Sequence, residues 1–155
     1  MMDQSTYEEY LAFHEAGHAW GYWTVGRGFR YVTLRPRTRG IDAGVMAYRP
    51  WKFVDYDLYA FVALCGPAAE LEHRARTDPN FDDPDVFENH RLAVARGAAR
   101  DAEIFMPFMD QLSESDLPNE INAHWSGVEL LAHELLEMRT VAGPRAVEIF
   151  DSTAP

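Results

Sequence analysis

The chain has one cysteine, one lysine and no long uninterrupted apolar run. A lone Cys65 forms no internal disulfide and builds no cysteine-rich zinc fold. In the run Leu58-Tyr-Ala-Phe-Val-Ala-Leu-Cys65 it reads as a buried structural thiol. That run is too short to span a bilayer and is bounded by Asp57 and Glu70. Met1-Met2-Asp3-Gln4 has neither the basic nor the apolar region of a signal peptide, so the expectation is a soluble, cytoplasmic protein. Positive charge is also scarce: 14 Lys+Arg against 25 Asp+Glu leaves a net charge of −11. That balance argues against nucleic acid and against an anionic membrane as partners, since both attract positive surface. It mildly favours basic or neutral peptides, and serves solubility equally well. The only lysine is Lys52, and nothing reads G-x-x-x-x-G-K-[ST], so no phosphate-cradling loop is expected.

What is present suffices for one domain. With 155 residues, 47% of them hydrophobic, the chain can bury a genuine core and is not disordered. A helix is expected from Thr6 to Val25, opened by Ser5 with Glu8 as a capping box and stopped by Gly26 and Gly28. Phe29 to Leu34, aromatic and β-branched, reads as a strand. Pro36 to Gly44 reads as a turn, with Val45 to Tyr48 returning to complete a hairpin. Asp55 to about Arg76 reads as a second helix that Gly66-Pro67 kinks or divides. An acidic loop follows; Asp83 then fits an N-cap with Pro84 at the first position of a helix running to about Met106. Pro107 and Pro118 bracket a loop. A fourth helix is expected from Asn119 to about Val141, stopped by Gly143-Pro144, and a short one from Arg145 to Phe150. The fold class is therefore mainly α with a small β-hairpin (α+β), in a single domain.

The stretch that carries chemistry is His14-Glu15-Ala16-Gly17-His18, an H-E-x-x-H pattern in the middle of the first helix. Residues four apart share a helix face, about 5–6 Å apart at Cβ. Two neutral imidazoles so placed can close on one Zn²⁺. Glu15 lies about 100° round the helix from His14, within reach of the metal's open position without ligating. A catalytic zinc takes three protein ligands, so a third must come from elsewhere in the chain. The acidic loop with Asp82, Asp83, Asp85 and Glu88 is the natural supplier, although Asp83 is better suited to capping. Glu70 is either a ligand or the acceptor of a ligand histidine's N–H. His133-Glu134-Leu-Leu-Glu137 lacks the second histidine and, with Leu130, Leu131, Leu135 and Met138 beside it, reads as core packing under a polar face. His73, His90 and His124 read as structural or exposed, and Trp20, Trp23, Trp51 and Trp125 as core.

Five stretches together resemble one family, the peptidase domain of the FtsH-type ATP-dependent zinc proteases. His14-Glu-Ala-Gly-His-Ala19 matches that family's active-site signature. Val32-Thr-Leu-Arg-Pro36 with Gly44 resembles its edge strand, and Leu64-Cys-Gly-Pro-Ala-Ala-Glu70 its glycine and Ala-Ala-Glu segment. Asp85-Val86 with Leu92-Ala93 resembles its Asp-bearing helix, and Leu135 to Gly143 the end of its C-terminal helix. The five occur in family order and cover about residues 7–150; the first is specific, the others weak singly. The sequence departs from the family at Pro67, where many relatives have arginine, at Pro84 before Asp85, and at Asn89-His90; with no phosphate-cradling loop, neither the ATPase motor nor the membrane anchor of the long relatives is expected.

The resemblance implies a zinc metalloendopeptidase with Zn²⁺ on His14, His18 and Asp85, Glu15 as the catalytic base, and Glu70 second-shell or an alternative ligand. It implies a polypeptide substrate, flexible or unfolded for want of a motor, paired against Val45, Met46 and Ala47 by strand addition. An ATPase on a separate chain is left open, as is the oligomeric state. The alternative from a different class is a catalytically inactive or regulatory zinc-binding module that binds protein partners.

Overall fold

The computed structural model describes residues 2–35 and 44–155. The fold is mainly helical with a small three-stranded antiparallel sheet, an α+β arrangement. Helix α1 (Gln4–Thr24) runs through the middle, and from Ala12 to Tyr22 nearly every residue is buried. Asp3, not Ser5, caps it: its carboxylate accepts from the Thr6 N–H at 2.9 Å and the Thr6 hydroxyl at 3.0 Å. An aspartate there satisfies orphan N–H groups and also places negative charge at the positive end of the helix dipole. Gly26 ends the helix at φ 70°, a conformation that costs glycine little.

Strand β1 (Phe29–Thr33) pairs antiparallel with β2 (Gly44–Ala47), forming the expected hairpin. The turn expected over Pro36 to Gly44 lies, except for Gly44, outside the described residues. A third strand, β3 (Thr140–Ala142), pairs with the other side of β1, so the order is β2-β1-β3. The sequence reading carried the fourth helix through these residues. Instead Arg139 takes a left-handed conformation (φ 67°) and ends the helix, and the Val141 that follows is buried beside Val32.

Helix α2 (Tyr56–Thr77) follows a 3₁₀ turn at Phe53–Asp55 and packs along α1. It is a single helix through Pro67, not two helices end to end. The proline forfeits the bond its missing N–H would make to the carbonyl four residues earlier. Burial of this turn, with Cys65, Gly66 and Ala69 against α1, outweighs that loss. Small residues make the approach possible: a Cβ on Gly17 would run into the Cys65 carbonyl and lie 2.6 Å from the Ala69 Cβ.

Asp83 caps α3 (Pro84–Gly97), accepting from the N–H groups of Asp85 and Val86, and Pro84 opens the helix as anticipated. The expected run to Met106 is interrupted. Helix α3 ends at Ala98, and α4 (Ala99–Phe105) begins afresh and packs on α2. Gly97 is a poor helix residue and Ala98 is buried, so a turn here trades one ladder bond for packing. After a 3₁₀ turn at Met106–Phe108, α5 (Met109–Leu112) and α6 (Leu117–Ala123) lead into α7 (Trp125–Met138). Helix α8 (Gly143–Thr153) closes the chain. The core gathers Phe13 and Trp20 of α1, Phe29 and Val32 of β1, Val128, Leu131 and Leu135 of α7, and Ile149 and Phe150 of α8. No described helix is long and apolar enough to cross a membrane.

Candidate metal centre

The i, i+4 spacing does what helix geometry requires: His14 and His18 stand one turn apart on α1 with their Nε2 atoms 3.0 Å from each other. The far nitrogen of each ring is fixed. His14 Nδ1 donates to Glu70 Oε2 at 2.9 Å, and His18 Nδ1 donates to the Val62 carbonyl at 2.8 Å. A carbonyl only accepts, so the proton of neutral His18 is on Nδ1 and its Nε2 carries a bare lone pair. The Glu70 carboxylate selects the same tautomer for His14. Helix α2 therefore orients both rings, through Glu70 and through the backbone of Val62. The backbone approach needs glycine: a Cβ on Gly66 would overlap His18 Nε2 and lie 2.5 Å from its Cε1 and 2.7 Å from its Cδ2.

The acid that meets them is Asp101 on α4. Its Oδ2 lies 3.0 Å from His14 Nε2 and its Oδ1 3.4 Å from His18 Nε2. His14, His18 and Asp101 form a group whose ligand atoms all lie within 4.8 Å of one another, an arrangement able to hold a metal ion. The donor chemistry fits. Ligands about 2.0–2.1 Å from a tetrahedral ion are separated by roughly 3.3 Å, close to these spacings. Two imidazole lone pairs and a carboxylate aimed at one point also demand positive charge at that point. Burial opposes charge on His14, but the carboxylates of Asp101 and Glu70 overcome it and raise its pKa to about 10. Burial likewise disfavours charge on His18, and Asp101 outweighs it. Burial would raise the Asp101 and Glu70 carboxyls; the histidines, with Arg74 beside Glu70, hold both below the usual range.

Glu70 thus sits behind His14 rather than in the ligand group. Both its oxygens are committed, the second to Arg74 Nε at 3.1 Å and Nη2 at 2.8 Å. The same arginine lies over the Tyr10 ring at 3.8 Å and reaches His90 Nδ1 at 3.3 Å, while His90 Nε2 meets Asp78 at 2.7 Å. Asp85 is not brought to the histidines: it is exposed in the first turn of α3. Asp82 and Glu88 are exposed too, Glu88 paired with Arg91. Asp101 was passed over because the sequence reading placed it deep inside a long third helix. The one local signal is Gly97-Ala98-Ala99, small residues that permit a turn and a close approach just ahead of it.

Glu15 is buried and faces the same cleft as the two histidines and Asp101. The cleft measures about 710 Å³ and is walled by Tyr7, Tyr22, Tyr59 and Ile104 among others, with Gly44 and Val45 of β2 at one side. Of the strand expected to bind substrate, Val45 lines the cleft, and Met46 and Ala47 continue along β2 at the sheet edge. The other histidines are taken up in packing. His73 stacks on Phe13 with ring centroids 3.6 Å apart and bonds Glu9, and His133 meets the edge of Phe13 at 6.0 Å. No family model matches the chain, and no curated protein matches it at a significant level.

Proposed function

We propose that the chain is a zinc-dependent endopeptidase of the FtsH type, cleaving flexible or unfolded polypeptides. The observation that supports it is the convergence of His14 Nε2, His18 Nε2 and an Asp101 oxygen beside Glu15 in an open cleft. Among the described residues the ligand group has three members, the number a catalytic site uses, whereas a structural zinc is closed by four.

A divalent ion held by His14, His18 and Asp101 would supply Lewis acidity to the attacking water and the substrate carbonyl. The chain's own residues do the rest. Glu70 and Val62 hold the imidazoles in the ligating tautomer. Glu15 takes the proton from the attacking water and delivers it to the leaving amine nitrogen. Its burial keeps that proton from bulk solvent. The cleft admits an extended chain alongside Val45, where main-chain pairing supplies affinity independent of sequence.

The test is digestion of casein, as an unfolded protein, by zinc-loaded protein and by Glu15→Gln. Loss of the general base should lower the rate by about 10²–10⁴-fold while one equivalent of zinc is retained. Full activity in Glu15→Gln removes Glu15 from the mechanism. Zinc binding without cleavage in the wild type supports the regulatory zinc-binding module instead.

A further inference from the structure

The cleft carries charge that the metal group does not use. Arg96, in the last turn of α3, and Arg100, in the first turn of α4, both line it, and both are exposed. Among the described residues neither guanidinium forms a hydrogen bond or an ion pair. Arg74, Arg76, Arg91, Arg139 and Arg145 each hold an acid. Arg30 and Arg49 also hold no acid among the described residues, so what sets Arg96 and Arg100 apart is their place on the cleft. Here two such arginines flank the turn that delivers Asp101. The acids of the cleft offer them nothing: Glu70 is held by His14 and Arg74, and Asp101 faces both histidines. The metal side of the cleft is therefore bordered by two uncommitted cations.

We propose, resting on the peptidase reading, that Arg96 and Arg100 bind a carboxylate of the polypeptide substrate and select chains that place one near the cleaved bond. Guanidinium is weakly hydrated and presents a planar fork matched to carboxylate, so it is suited to this task. The net charge of −11 does not oppose it at contact range. In physiological salt charges are screened beyond about 8 Å, so the distant acids count for little where the arginines touch the ligand. The surface as a whole repels acidic chains; this patch is where one can settle, which sets its register.

The carboxylate has two sources, an Asp or Glu side chain and a free C-terminus. Four fluorescent peptides of equal length separate them: neutral with an amidated end, the same with one internal Glu, the neutral peptide with a free C-terminal carboxylate, and an amidated one with an internal Lys. Their affinities for zinc-loaded Glu15→Gln, which binds without turnover, are read by anisotropy. The peptide bearing the recognised carboxylate should bind about tenfold tighter than the neutral one, as expected for one charge-assisted contact. That advantage should fall below about twofold in Arg96→Ala/Arg100→Ala, provided it keeps its zinc and its circular dichroism, and move to the Lys peptide in Arg96→Glu/Arg100→Glu. Should the double variant fail to fold, Arg96→Gln and Arg100→Gln singly must each reduce the advantage. Equal affinity for all four peptides, or an acid preference that survives loss of both arginines, overturns the proposal. Wild-type cleavage is measured in parallel. Carboxylate preference without cleavage overturns the peptidase reading and leaves this site standing, and cleavage without preference does the reverse.

Discussion

At the scale of single residues the site is a matter of which lone pair faces where. His14 and His18 project from one face of α1, but the spacing alone does not say which ring nitrogen is free. Glu70 and the Val62 carbonyl decide that by accepting from both Nδ1 atoms. Asp101 completes the group, and Asp85 stays in the first turn of α3. Asp101→Ala should therefore weaken zinc binding by at least about 100-fold, and Asp85→Ala should leave it unchanged, in a competition titration against a chromogenic chelator. Glu70→Ala should fall between them, at about 10–100-fold, because it releases the His14 tautomer without removing a ligand. An Asp85→Ala variant that loses zinc would return the ligand role to α3.

At the scale of elements, two glycines of the same helix pair have different jobs, and alanine tells them apart. A Cβ on Gly17 collides with the backbone carbonyl of Cys65, which cannot move without shifting α2. Gly17→Ala should destabilise the fold by about 1–3 kcal/mol in urea unfolding. The three atoms nearest a Cβ on Gly66 all belong to the His18 ring, a side chain that can swing away. Gly66→Ala should therefore lose zinc affinity with less loss of stability. If both variants lose stability equally and keep zinc, the His18 ring does not depend on Gly66. Pro67 belongs at this scale too. A kink or a division into two helices was expected there; α2 is not divided, because the packed interface with α1 lies along that turn.

For the whole molecule, the cluster links pH, metal and stability. His14 faces Asp101, Glu70, Glu15 and His18, and its pKa rises from 6.5 to about 10 in the folded protein. A group raised in the folded state stabilises fully below its unfolded pKa and loses that contribution as pH climbs through the folded value. Protein stripped with EDTA should therefore lose the His14 contribution as pH rises from 6.5 towards 10. Zinc requires neutral imidazole, so binding displaces the proton, and the gain in Tm on adding zinc should grow over the same interval. At zinc 100-fold above Kd the gain is about 2.7 kcal/mol, which for a domain of this size is roughly 5–10 °C by calorimetry. A zinc-induced shift that is flat between pH 6.5 and 9 would falsify this linkage.

The amino-acid order alone determined what lies within a few residues of itself. The H-E-x-x-H face of α1, the cap at Asp83, the hairpin of Phe29 to Ala47 and the stop at Gly26 all rest on local spacing and turn chemistry. Glu70 behind His14 was anticipated as one of two roles, because it rides on the helix after the hairpin. Tertiary structure decided what local rules cannot reach. Helix α2 survives its proline because burial outweighs one lost bond. Residues 140–142 leave a helical pattern to pair with β1. Asp101 meets His18 across 83 positions, because the turn at Ala98 lets α4 settle on α2. A contact between distant segments is set by packing of whole faces, and no short window of sequence contains that information.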